Sequence, residues 1–83
     1  MNRKAQALCV EAIALLQKER IRRKLSKYYI AQTSGLSPQM IGYVESGARN
    51  PTLESVLRIA EAMDVKFEDI IKRARKRLPK LGK

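Results

Sequence analysis

With 83 residues the chain has room for one domain, and a core of that size is marginal without further support. A single cysteine excludes an intramolecular disulfide, and the absence of histidine removes the commonest general base and the commonest metal ligand. A formal net charge of +10 draws the chain to polyanions, nucleic acid first and anionic membrane second.

The distribution of charge sharpens this. Basic residues crowd two stretches, 18–27 and 66–83, while residues 28–48 carry one charge, Glu45. A nearly neutral element between basic flanks suits a reader of base edges with phosphates held at its sides. Scattered acids and one thiol offer no zinc cluster and no Cys–His or Ser–His pair, so neither enzymatic activity nor a cofactor is expected. No apolar run reaches transmembrane length. The apolar segment after Arg3 and Lys4 is interrupted by Gln6 and Glu11 and lacks a small-residue cleavage site, so it is not read as a signal peptide. The expectation is a cytoplasmic protein.

Taken in chain order, the first predicted helix covers about 3–23, with Asn2 as its N-cap. Ala5, Leu8, Cys9, Ala12, Ile13 and Leu16 follow the three-four spacing of one buried face, which places Cys9 in the core. Arg20 continues that stripe; Lys18, Arg22 and Lys24 point to solvent or a phosphate. Ser26 caps a second helix of two turns ending near Thr33, with Ile30 and Ala31 inward. Gly35 permits the left-handed backbone of a tight turn. Ser37 caps a third helix with Pro38 at its first position, where a missing N–H costs nothing. This helix carries Met40, Ile41 and Val44 and stops at Gly47. Thr52 caps a fourth, whose apolar face is Leu53, Val56, Leu57, Ala60 and Met63. A fifth begins after Asp64 and Val65. Its early Glu68 and Asp69 and its late cations complement the helix dipole, and Pro79 ends it. The domain is expected over 1–78, with 79–83 as a basic tail.

The second and third helices with their glycine turn form the compact unit, at about 26–46. Steeply crossing helices need a small residue where they touch, and Ala31 supplies it. The exposed start of the third helix is then free to enter a major groove. From Leu25 to Ile71 the sequence resembles the phage Cro/C1-type, or XRE-type, helix-turn-helix family. The residues that carry the resemblance are Leu25-Ser26, Ile30-Ala31, Gly35-Leu36-Ser37, Ile41, Val44-Glu45-Ser46-Gly47, Arg49-Asn50-Pro51, Leu57, Ile59-Ala60, Val65 and Ile70-Ile71. The glycine alone is a weak signal; the Glu-x-Gly-x-x-Asn-Pro segment at its distance beyond makes the match specific.

The resemblance implies an all-α, five-helix lambda-repressor-like DNA-binding domain, here with an extended first helix. It implies a transcriptional regulator, of repressor or controller type, that binds double-stranded DNA as a homodimer at a palindrome. Ser37, Gln39 and Tyr43 align with positions that reach base edges. Lys27, Arg49 and Asn50 align with positions at phosphates, and Tyr28 and Ser46 are expected to meet phosphates beside them. Arg20, an odd cation on an apolar stripe, is implied to pair with Glu45. Some positions depart from the pattern. Pro38 stands where a base-reading side chain is common, Gly42 offers no side chain, Ser34 replaces a frequent leucine and Lys66 replaces a cap. Tyr28 and Tyr29 cannot share a helix face; one is expected to pack and the other to meet a phosphate.

Val65, Phe67, Ile70 and Ile71 cluster at the start of the last helix. The domain needs one of the two isoleucines; Phe67 and the other are assigned to a second copy, with Ala5 and Leu8 beside them. Two other functions compete. An antitoxin would use the same fold and also bind a protein partner. A basic RNA- or membrane-surface module would work through the last helix.

Overall fold

The computed structural model describes residues 3–78 and forms them into α1 (Arg3–Arg22), α2 (Lys27–Ser34), α3 (Pro38–Ser46), α4 (Leu53–Ala62) and α5 (Phe67–Arg77), with no strand among the described residues. The expected Asn2 cap and the tail 79–83 lie outside them. Hydroxyl caps start the three central helices. Ser26 accepts from the Tyr29 amide, Ser37 from Met40 and Thr52 from Ser55, each at 3.0 Å. Each satisfies an amide that the helix leaves unpaired. Lys66 gives α5 no such cap; the acids of its first turn act on the dipole instead.

Gly35 ends α2 at φ +80° and donates to the Ala31 carbonyl. The turn is also close to α4. A Cβ there would come to 3.0 Å from Arg58 Nη1, which itself bonds the Ser34 carbonyl at 3.3 Å and so ties α4 to the end of α2. At two other helix ends the sequence supplies no glycine, and Lys24 and Asp64 adopt positive φ.

The core joins Ala12, Leu15 and Leu16 of α1 with Ile30 and Ala31, Ile41 and Val44, Val56, Ile59, Ala60 and Met63, and Ile70 and Ala74. α1 packs most extensively on α5, which returns along it in the opposite sense. Glu11 pairs with Arg77, while Glu19 lies 3.9 Å from Arg73. The extended first helix thus covers the second half of α5.

Three expectations need correction. Ala5 and Cys9 are exposed, because burial along α1 begins only at Ala12 and continues through Leu15, Leu16 and Glu19. Leu53 and Leu57 are exposed; the buried face of α4 is Val56, Ile59 and Ala60, which leaves Leu57 off to the side and Leu53 at the first turn. Tyr28 and Tyr29 are both exposed, so neither packs. Arg22 is exposed, as expected, but it is not free: with Arg23 it is bound to Glu19.

That carboxylate is the largest surprise of the fold. Glu19 is 7% exposed. It accepts from Arg22 Nη2 at 2.7 Å and from Arg23 Nε at 3.0 Å, and Arg23 Nη1 reaches the Met63 carbonyl at 2.6 Å. The bond from Arg22, reinforced by Arg23, outweighs burial and pulls the carboxyl from 4.5 to about 2. A depressed carboxyl stabilises the fold above its unfolded value and loses that contribution as pH falls toward its folded one. Melting temperature should therefore drop between pH 4.5 and about 2. Glu19→Gln should flatten that limb and cost about 1–3 kcal/mol at pH 7, the exposure of Arg22 limiting the gain from charge. A pH series of thermal melts checks this; an unchanged limb in the variant would assign acid sensitivity to other carboxylates.

Candidate nucleic-acid interface

The exposed side of α3 and the helix starts around it bring most of the expected DNA contacts together. Pro38 at the first position and the Ser37 cap start α3 with its first turn exposed to solvent. Ser37 Oγ accepts its cap bond from Met40, which leaves the hydroxyl proton free for a partner. Gln39 is exposed and Tyr43 half-buried, one turn apart on one face. They touch: Gln39 Nε2 donates to Tyr43 Oη at 2.6 Å.

Arg49, from the loop after α3, lies over the Tyr43 ring. Its guanidinium carbon is 4.7 Å from the centre of the Tyr43 ring, a cation–π contact. Ser46 is exposed but engaged locally, donating to the Tyr43 carbonyl and accepting from the Ala48 amide, both at 3.3 Å. Asn50 is exposed in the same loop. Lys27 opens α2 and reaches across to α3. Its Nζ stands 3.9 Å from the place a Cβ of residue 42 would occupy, so Gly42 marks where this cation crosses the third helix. Tyr28 lies exposed beside it.

Glu45 is the acid that would oppose a phosphate-rich partner, and it is neutralised from behind. Arg20 Nε and Nη2 grip its two oxygens at 2.7 and 3.0 Å, and the side chains are only 12% and 8% exposed. Gln17 adds a bond at 3.4 Å, and Arg20 Nη1 donates to the Leu25 carbonyl at 2.9 Å. One guanidinium therefore joins α1, the turn before α2 and the end of α3. The outward face of α3 is left without net charge between Lys27 and Arg49.

The residues assigned to a second copy divide. Ile70 is 0% exposed and belongs to the monomer's own core, which corrects its place in an interface. Val65, Phe67 and Ile71 are half-buried along the edge of that core. Sequence reasoning missed Gln17, the Glu19 cluster and the chain from Gln39 through Tyr43 to Arg49. The i, i+4 spacing of Gln39 and Tyr43 and the Glu19-Arg22-Arg23 spacing were signals available for two of them.

Among the described residues no cluster of three or more metal-ligating side chains occurs, and no helix is long and apolar enough to cross a membrane. Comparison with known proteins agrees with the geometry. Among curated protein sequences none matches the chain significantly. Among solved structures the chain is similar to the restriction-modification controller protein C.AhdI from Aeromonas hydrophila. The two are 32% identical, with a TM-score of 0.68 over 75% of this chain and 94% of the controller. The profile of the helix-turn-helix family matches residues 16–70, and the chain belongs to the Cro/C1-type (XRE-type) helix-turn-helix family of DNA-binding transcriptional regulators.

Proposed function

We propose that the protein is a controller-type regulator that binds a palindromic operator in the cytoplasm as a homodimer, each copy placing α3 in a major groove. The observation that carries this reading is the exposed, uncharged face of α3 set between Lys27 and Arg49, with its one acid held from behind by Arg20. Ser37, Gln39 and Tyr43 form the base-reading side. Lys27, Tyr28, Ser46, Arg49 and Asn50 meet phosphates along its borders. Residues 1–78 act as one unit and 79–83 as a basic tail. The likeness to a restriction-modification controller supports the regulatory role.

The test is selection of bound duplexes from random-sequence DNA, followed by titration over a range of salt. A two-fold symmetric sequence should emerge. Log K for it should fall with log salt by about 0.9 for each phosphate contacted. Equal competition by all duplexes, or affinity that ignores salt, would overturn the proposal.

A further inference from the structure

We infer that Tyr43 serves the base-reading side as a positioning residue rather than through a base contact of its own: its hydroxyl fixes the amide of Gln39 in one orientation, and Arg49 clamps its ring, so that three side chains act as one reading unit. The inference rests on the proposed reading of bases by Gln39. Two independent contacts carry it, the Gln39 Nε2 to Tyr43 Oη bond at 2.6 Å and the Arg49 guanidinium 4.7 Å from the tyrosine ring centre.

The chemistry follows from counting donors. A glutamine amide has two N–H groups and one carbonyl oxygen. Tyr43 takes one N–H. What remains is one donor beside one acceptor. Adenine offers the complement in the major groove, an N7 acceptor beside an N6 donor, whereas guanine offers two acceptors. A glutamine held this way prefers adenine over guanine, while a freely turning amide can present either edge. The unheld side chain would also lose rotamer freedom on reading a base, a cost that Tyr43 has already met in the free protein. Arg49 adds the link to the DNA backbone. Its guanidinium stacks on Tyr43 while its donors remain available to a phosphate. A grip on the backbone thereby tightens the group that selects the base.

The probe is a duplex selected from random DNA by the wild-type protein, together with its single-base-pair variants. Wild type, Gln39→Ala, Tyr43→Phe, the double variant and Arg49→Lys are titrated at one salt concentration, with melts confirming that each is folded. Tyr43→Phe keeps the ring, and with it the contact to Arg49. Gln39→Ala should lose about tenfold or more of the discrimination at one position of each half-site. Tyr43→Phe should lose most of the same discrimination at the same position, with guanine gaining on adenine, and the double variant should match Gln39→Ala. Arg49→Lys should relax that position in part while the salt slope is retained, because charge is kept and planar stacking lost. If Tyr43→Phe changes a different base pair, or its loss adds to that of Gln39→Ala, tyrosine reads a base itself and the positioning role is overturned. A uniform loss on all duplexes would also overturn it, as a merely structural effect. If Gln39→Ala acts and Tyr43→Phe does not, the positioning role falls alone. If Gln39→Ala leaves every preference intact, the base-reading role of Gln39 falls with it.

Discussion

Arg20→Ala is expected to cost the fold about 3–5 kcal/mol, because it leaves Glu45 buried and uncompensated. The whole domain has on the order of 4–12 kcal/mol of stability at about 0.05–0.15 kcal/mol per residue, so the variant should be partly unfolded at 37 °C. The geometry favours the upper part of this range. Both Glu45 oxygens are gripped, the carboxylate side chain is 8% exposed, and the third guanidinium nitrogen also bonds the Leu25 carbonyl. Gln17, with one bond of 3.4 Å, is too weak a donor to replace the lost charge. Arg20→Lys should recover only part of the loss, since a point charge cannot reproduce a two-pronged grip. Arg20→Met combined with Glu45→Leu should recover more, because it removes the orphaned charge altogether. Urea titrations of the four proteins check the series. An Arg20→Ala protein within about 1 kcal/mol of wild type would show that the pair behaves as an exposed surface bridge.

This pair also shows which parts of the structure were legible in advance. A cation on an apolar stripe and a lone acid in a neutral helix are conspicuous, and the family resemblance joined them. The caps at Ser26, Ser37 and Thr52 and the turn at Gly35 were legible because their chemistry is local. Each needs only a hydroxyl three residues before an amide, or a residue free to take positive φ. Cys9 was not, because the width of a buried stripe depends on the number of neighbours. The first half of α1 is joined to α5 through Glu11 and Arg77, whereas Gln17, Arg20 and Arg23 reach α3 and the end of α4. Fewer neighbours cover a narrower stripe. Leu53 and Leu57 misled for a related reason: an apolar side chain is not bound to be buried, and much of a folded surface is apolar. Glu19 sits where a three-four pattern calls for a hydrophobe. Its local arginines were visible at i+3 and i+4, but its burial depends on α5 and the end of α4, and no local pattern reports that.

Phe67→Asp is expected to convert a dimer into a monomer and to weaken binding to a two-half-site duplex by about 10²–10⁴-fold. That loss is what linking two binding events is worth. A single recognition helix reads too few base pairs to pick one site among a genome's competitors, and a two-fold dimer reads half-sites about one helical turn apart. The apolar face of α5 is one continuous band that the monomer covers unevenly. Ile70 and Ala74, both 0% exposed, are spent on the monomer's core, and the extended α1 lies along this helix. Phe67 and Ile71, one turn apart, stay half-buried at the core's edge with Val65 nearby. A second copy approaching by a two-fold axis would remove their remaining apolar surface from water without disturbing Ile70. Because Phe67 also touches the core, Ile71→Ser serves as a milder companion, and circular dichroism confirms that both variants remain helical. Sedimentation equilibrium near micromolar concentration should give a dimer for wild type and monomers for the variants. Each variant should still bind an isolated half-site as wild type does, since α3 lies elsewhere. A wild-type protein that stays monomeric and binds the palindrome without cooperativity would overturn the dimer. Variants that remain dimeric would move the interface away from α5.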